Sequence, residues 1–308
     1  MLIECIPNIS EGRRPEVVAE IVAAIRAVPG IQWLDQSSDA DHHRSVLTFA
    51  GAPEALEQAI SVLYTQAAQH IDLRHHQGEH PRMGAVDVVP FVPLTGATMA
   101  DCVALAKRVG ERIAGDHGVP VVLYEEAASA PHRRNLAEVR KGEFEGLKDK
   151  LARAEWKPDY GPTNPHEQLG ASAVGAREAL VAYNVYLDTR DVKIAQEIAK
   201  AIRGSSGGLG SVKAMGLYIE DRQQAQVSMN LVNFRKNPLY RVVELIRIEA
   251  ARWGVRVTSS EIVGLVPQAA LLESAAYYLQ LEGYQPAMVL ENKLQEAQAS
   301  TAPAPTPA

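Results

Sequence analysis

Cysteine is nearly absent: Cys5 and Cys102 are the only two in a chain of 308 residues. Two thiols make no disulfide framework. Cys5 sits in a strand-like apolar run and Cys102 in a helix-like one, where a thiol serves as a small core residue. No uncharged apolar run approaches the roughly 18 residues of a membrane span. The opening MLIECIPNISEGRRPE lacks a basic region followed by a long apolar stretch, so it does not read as a secretory signal. Positive charge is outweighed by negative, 31 Lys and Arg against 37 Asp and Glu, for a net charge of −6. That argues against nucleic acid as the main partner, because phosphate binding needs a basic surface, but leaves room for a local anion pocket. No G-x-x-x-x-G-K-[ST] phosphate loop occurs, and the Gly-rich RGSSGGLGSVKA reads as a flexible connection. The expectation is a cytoplasmic protein with no nucleic-acid or membrane partner.

The chain is 46% apolar and 22% charged, long enough for a sizeable core and for two domains. LIECIPNI reads as a strand, and Val17, Val18, Ile21, Val22 and Ile25 form a helical stripe after it. IQWLDQ and RSVLTFAG read as strands, PEALEQAISVLYTQAAQHI as a helix and AVDVVPFVPL as a strand. A further helix stops at Gly118 and a strand, VPVVLYEEA, follows. The second half repeats the pattern: strand ALVAYNVYL, helix VKIAQEIAKAIRG, two alternating strands, helix LYRVVELIRIEAARWG and strand VRVTSSEIVGLV. This order, βαββαβ twice, predicts an α+β fold of two tandem ferredoxin-like subdomains. A doubly wound parallel sheet fits less well, because paired strands twice follow each other without a helix. The expected boundaries are 1–177, 178–295 and a disordered Ala/Pro tail, 296–308. Residues 153–177, broken by Pro158, Gly161, Pro162, Pro165, Gly170 and Gly175, read as a long loop, and such loops are often functional.

Three stretches gather chemistry. IDLRHHQGEHPRMGAVDVVPF, residues 71–91, holds His75, His76, His80, Glu79 and two arginines. His76 and His80 have the spacing of a helical zinc motif, but Gly78 between them and Pro81 after them oppose a helix. Zinc also wants three or four converging ligands. Acid–base work suits histidine better, because its unperturbed pKa lies near neutrality. A merely solvated loop is the plain alternative. DADHHRSV, 39–46, is either a hairpin turn or an anion site in which Arg44 clamps a carboxylate. PNISEGRR, 7–14, is either a strand-to-helix turn or an anion-binding helix start. Asn184 and Asn230 stand in otherwise apolar strands, lining a cavity or facing solvent.

Taken together, ECIPNISEGR, HHQGEHPRMGAVDVVPF, WKPDYGP, AYNVYL, SMNL and SEIVGLVP resemble glutamate formimidoyltransferase, the formiminotransferase part of formiminotransferase-cyclodeaminase. The resemblance runs to about Tyr284, and no cyclodeaminase portion is expected to follow. It implies transfer of a formimino group from N-formimino-L-glutamate to N5 of tetrahydrofolate, a co-substrate, with no metal. It also implies two α/β subdomains with folate in a cleft between them, and a homodimer. The family's catalytic histidine falls on His80. Its folate loop falls on Gly161, Pro162, Thr163, Asn164, Pro165, His166, Glu167, Gln168, Leu169 and Gly170. The loop's TNPHEQ is more polar than in the animal-type pattern. Arg44, Arg82 and Arg13 are candidate partners for substrate carboxylates, and Asp39 is the chosen carboxylate to assist His80. His75 and His76 become pocket wall or solvated loop. Alternatives are a relative acting on 5-formyltetrahydrofolate, a metal-dependent amidohydrolase using His75, His76 and His80 with the Asp39 group, and a folate-binding protein without turnover.

Overall fold

Pro7 splits the first strand into β1 (Ile3–Cys5) and β2 (Asn8–Ile9), because proline has no N–H to give the ladder. Its carbonyl still accepts a bond from Leu47 N. Both halves lie between the same two neighbours in a computed structural model that describes residues 1–301. The chain divides into two compact units, Met1–Glu178 and Ala179–Ala308.

In the first unit α1 (Pro15–Arg26) begins on proline, where the missing N–H costs nothing, and buries the expected stripe of Val17, Val18, Ile21, Val22 and Ile25. The hairpin of β3 (Gln32–Asp39) and β4 (Arg44–Gly51) leads into α2 (Pro53–His70) and then β5 (Val86–Pro93). These strands lie in the order β3-β4-β1/β2-β5, antiparallel throughout, which is the ferredoxin-like arrangement that the element order predicts. Helix α3 (Met99–His117) starts at a capping box of Thr98 and Asp101. It returns the chain to β6 (Val121–Glu125), followed by two short helices, α4 (Leu136–Arg140) and α5 (Leu147–Leu151).

Residues 153–177 are not all loop. Ser172–Ala176 forms β7, which inserts between β5 and β6 and runs parallel to both. Every residue of β7 is buried, because the sheet here is covered on both faces. One face packs on α2 and α3 through Phe91, Val109, Ile113 and Val174. The other packs on α4 and α5 through Val88, Val139, Leu147, Leu151 and Ala173. Each such aliphatic side chain contributes about 1.5–3 kcal/mol relative to exposure. A buried polar chain ties the layers together: Tyr64 OH donates to Ser172 Oγ at 2.7 Å, which donates to Val86 O at 2.5 Å.

The second unit comprises β8 (Val181–Leu187), α6 (Val192–Ile202), β9 (Val212–Ile219), β10 (Gln224–Leu231), α7 (Leu239–Arg252) and β11 (Val257–Val263). Its sheet order is β11-β8-β10-β9, again antiparallel and ferredoxin-like. Val181, Tyr183, Val185 and Leu187 meet α6 and α7 in one core. Helices α8 (Gln268–Tyr278) and α9 (Leu290–Thr301) follow. The start of the tail expected to be disordered, 296–301, belongs to α9. Residues 302–308 lie outside the described residues. No helix among the described residues is long and apolar enough to cross a membrane.

Candidate functional site

Three turns of the first unit interlock: Ser10–Arg14 before α1, Asp39–Arg44 between β3 and β4, and the histidine segment before β5. A Cβ on Gly12 would collide with Asp39 O and Arg44 N, and one on Gly78 with His42 O and His43 Cβ. Only glycine permits backbones this close. Hydrogen bonds then fix the contact, from Arg13 Nε to Ala40 O at 2.8 Å, Glu79 N to Asp41 O at 3.1 Å and Ser10 Oγ to Gly84 O at 2.8 Å. The three stretches that gather chemistry in the sequence thus make one surface.

At its base Asp87 of β5 is fully buried between two guanidiniums. Arg44 Nη1 lies 2.7 Å and Arg140 Nη2 2.6 Å from the same oxygen, and Met83 N donates to the other at 2.9 Å. Burial alone would push the Asp87 carboxyl up, but Arg140 and Arg44 outweigh it and hold the group down at about 2. Two cations on one carboxylate leave one positive charge uncompensated in a low-dielectric place. Arg44 Nε is taken by Asn8 Oδ1 at 3.1 Å, whereas Arg140 Nε is buried without a partner among the described residues. That geometry fits an anionic ligand group.

His80 stands in the field of this pair. Its Nδ1 lies 2.7 Å from Pro81 O. A carbonyl can only accept, so Nδ1 carries the hydrogen and Nε2 the lone pair. Burial, then Arg44 and Arg140, push His80 down to about 4, so the ring is neutral at pH 7. Its Nε2 has no hydrogen-bond partner among the described residues, and a neutral imidazole so placed is a proton acceptor.

Asp39 does not touch His80. It accepts His42 N at 2.8 Å and faces His42 Nδ1 at 2.9 Å, and the hydrogen bonds from His42 hold its carboxyl below the ordinary range. The His42 ring stands edge-on to that of His80 with centroids 6.0 Å apart. Any influence of Asp39 on His80 passes through His42.

Arg82, expected to meet a substrate carboxylate, is instead fully occupied. Its Nε donates to His76 Nδ1 at 3.1 Å, Nη1 to Glu143 and Glu145 at 3.1 and 2.9 Å, and Nη2 to Glu145 and His76 O at 2.7 and 3.3 Å. All five N–H groups point at protein acceptors, so Arg82 is a clamp on the 142–145 turn. His76 is equally committed: Nε2 bonds His43 O at 2.9 Å and the ring stacks on His43 at 4.1 Å. Burial holds its pKa below the ordinary histidine value. With both ring nitrogens engaged, His76 has no lone pair for the metal centre that the amidohydrolase alternative needs. Among the described residues no three His, Cys, Asp or Glu side chains converge as a metal site would. The stack leaves His43 Nε2 3.3 Å from buried Glu11, whose other partners are the backbone and side chain of Arg14 and the backbone of Arg13.

The end of the stretch 161–170 lies against the histidine segment, while Gly161 sits beside Ala114 and Val119. Leu73 N donates to Gln168 O at 3.0 Å, and Gln168 Nε2 donates to Ala68 O and Ile71 O at 2.8 Å each. Gln168, Leu169 and Gly170 are therefore anchors, the last bridged to Gly84. His166 Nδ1 accepts from Gln168 N and Leu169 N. Gly161, Pro162, Thr163, Asn164 and Glu167 are exposed and Pro165 half-buried. An open groove of about 910 Å³ is lined by Leu73, Arg74, His75, Gln77, Glu143 and Phe144, between the histidine segment and the 142–145 turn. Its size suits a ligand of several rings. Sequence reasoning missed Arg140, Asn8 and Glu11 as parts of the site. Asn8 and Glu11 stood inside PNISEGRR, read as a strand-to-helix turn or an anion-binding helix start, while nothing near Arg140 marked it.

Residues 2–177 match the Formiminotransferase domain, N-terminal subdomain, and residues 182–297 the Formiminotransferase domain. A glutamate formimidoyltransferase of Streptococcus pyogenes serotype M1 is 50% identical over 294 residues, 95% of this chain and 98% of its own. One of Thermoplasma acidophilum is 47% identical, covering 96% of this chain and 98% of its own. The formimidoyltransferase-cyclodeaminase of Rattus norvegicus is 45% identical over 91% of this chain but only 53% of its own length.

Proposed function

The chain belongs to the formiminotransferase family, and on that premise we propose that it transfers the formimino group of N-formimino-L-glutamate to N5 of tetrahydrofolate. The products are L-glutamate and 5-formiminotetrahydrofolate, a step of histidine breakdown. A bond forms between N5 and the formimino carbon, and the bond from that carbon to the glutamate nitrogen breaks. The observation that carries this reading is the neutral His80, with Nε2 free, beside two arginines that share one carboxylate.

Tetrahydrofolate supplies the nucleophilic nitrogen. His80 Nε2 takes the proton released there and gives it to the departing glutamate nitrogen, so one ring serves as base and then as acid. A base held near 4 is poorly matched to that exchange. A substrate carboxylate bound against Arg44 and Arg140 neutralises their charge and lifts His80 towards neutrality, so binding prepares the catalyst. Arg13, at the rim beside Ala40, offers its remaining donors to a second carboxylate. Asp39 positions His42, which flanks the His80 ring. The groove and the exposed residues of 161–170 hold the folate, with Gln168 to Gly170 fixing the loop's base. A cytoplasmic homodimer completes the reading.

Incubation of the purified protein with formiminoglutamate and tetrahydrofolate tests it, with 5-formiminotetrahydrofolate followed spectroscopically. Product should form near neutral pH without added metal. No product at any pH would overturn the proposal, as would activity that needs stoichiometric zinc.

A further inference from the structure

One short strip, residues 168–171, holds both ends of the segment that carries His80. At the leading end Gln168 O accepts from Leu73 N at 3.0 Å, and Gln168 Nε2 donates to Ala68 O and Ile71 O at 2.8 Å each. At the trailing end Leu169 O accepts from Ala85 N at 3.0 Å, Ala171 N donates to Met83 O at 2.9 Å, and Gly170 bridges to Gly84. Between these ends residues 76–82 belong to no helix or strand. Their middle is pinned to a neighbouring turn by Glu79 N, which donates to Asp41 O. The position of His80 therefore depends on where the strip sets the two ends.

His166 shapes that strip. Its Nδ1 accepts from Gln168 N at 3.2 Å and from Leu169 N at 3.0 Å, so the ring hydrogen sits on Nε2. Its backbone exchanges two hydrogen bonds with Gly170, each of 2.8 Å. Asparagine often closes a turn in this way, its side-chain oxygen accepting from the N–H two residues on. The consequence is directional, because a planar trans peptide unit points its N–H and its carbonyl opposite ways. In the unit joining Gln168 to Leu169 the N–H faces His166 Nδ1, and so the carbonyl faces Leu73 N. In the unit joining Leu169 to Gly170 the N–H faces His166 O, and so the carbonyl faces Ala85 N. One residue thus orients both carbonyls that grip the segment, the first through its ring and the second through its backbone.

We propose that His166 is a positioning residue for the transfer: by orienting these two peptide units it fixes the ends of the segment that presents His80. The inference rests on the transfer reading above. It gives His166 a part other than the folate contact expected from the resemblance, since the ring nitrogen that could accept from a ligand is spent on the turn. Proton exchange between His80 and two nitrogens tolerates little misplacement, and an error of about 1 Å far from the chemistry can cost roughly a hundredfold in rate.

Three variants test it. His166→Ala and His166→Phe remove the acceptor, the second keeping the bulk of a ring. His166→Asn puts an oxygen where Nδ1 was. Amide hydrogen exchange is followed at Leu73 and Ala85, and kcat and KM are measured from product formation at a temperature below each variant's Tm. In the Ala and Phe variants Leu73 should exchange roughly tenfold faster or more. Ala85, gripped through the backbone of residue 166, should change less. Their kcat should fall about tenfold to a hundredfold, with KM for formiminoglutamate unchanged because Arg44 and Arg140 keep their partners. His166→Asn should restore the protection of Leu73 and most of kcat. Unchanged exchange at Leu73 overturns the inference. So does faster exchange with full kcat, which would make the turn a matter of stability alone. A kcat that Asn fails to recover while Leu73 is protected again also overturns it, since the imidazole would then act on the substrate itself. Should neither Ala nor Phe fold, Asn decides by the same two readouts. Wild-type protein that protects Leu73 but makes no product defeats the transfer reading, and the Leu73 comparison alone then decides whether His166 fixes the segment.

Discussion

Arg140 reaches Asp87 at 2.6 Å from a helix of only five residues. Lys150 secures that helix by donating to Glu138 O and Val139 O at 2.6 Å each and to Lys141 O at 3.0 Å. The second guanidinium on Asp87 is thus held by a buried support, and the charge of the site depends on it.

Asp87→Asn should destabilise the protein by about 3–5 kcal/mol in urea unfolding, because it leaves two buried guanidiniums facing each other. The carboxylate's folded pKa, about 2, lies below its ordinary 3.8. Its stabilising contribution is therefore complete above about 3.8 and disappears as pH falls towards 2. The variant should lack that part of the acid limb. Equal stability at pH 7 would remove Asp87 as the keystone.

Removing one of the two arginines should release His80. In Arg140→Gln its titration, followed by histidine proton NMR, should move up from about 4, because a repelling charge has gone. The KM for the substrate whose carboxylate sits there should rise roughly tenfold. An unmoved His80 titration would show that Arg140 does not govern the ring.

His80→Ala should keep its affinity for folate and lose about 10²–10⁴ in turnover. Its stability profile should change too. His80 takes up a proton more readily unfolded, near 6.5, than folded, near 4. Wild-type stability therefore falls as pH drops from 6.5 to 4, and this component should be absent in the variant. Full activity of His80→Ala would end its assignment as acid and base.

Arg82→Lys should lower stability by about 1–3 kcal/mol and leave KM for both substrates unchanged, because an ammonium cannot serve His76, Glu143 and Glu145 together. A raised KM with unchanged Tm would restore Arg82 to the substrate.

The two ferredoxin-like units were legible because their strands and helices carry clear periods of 2 and 3.6 in the βαββαβ order. His80 was singled out only through the family resemblance; the residues alone left it one of three histidines in a broken loop. β7 was not legible, because SAVGA is buried on both faces and so shows no alternation, and its small residues resemble a loop between Gly170 and Arg177. Arg140 was hidden for a different reason. It stands in a run of short helices and turns with no period to read, and only folding brings it to Asp87. The sequence displays Arg82 and Arg44 as the same residue type. What separates a clamp from a member of the charged pair is the set of acceptors around each, and that is a property of the fold.

The order in which the chain is made has a consequence for the Arg44–Asp87–Arg140 arrangement. Everything needed for the ferredoxin-like sheet of the first unit, including Arg44 and Asp87, has been synthesised by Pro93. Up to Pro93 the sequence supplies one cation and one anion of this arrangement, whose formal charges cancel. The appended strands and α4 arrive later and bring the guanidinium that tips the balance. The positive balance of this site therefore depends on a helix outside the βαββαβ core of the first unit.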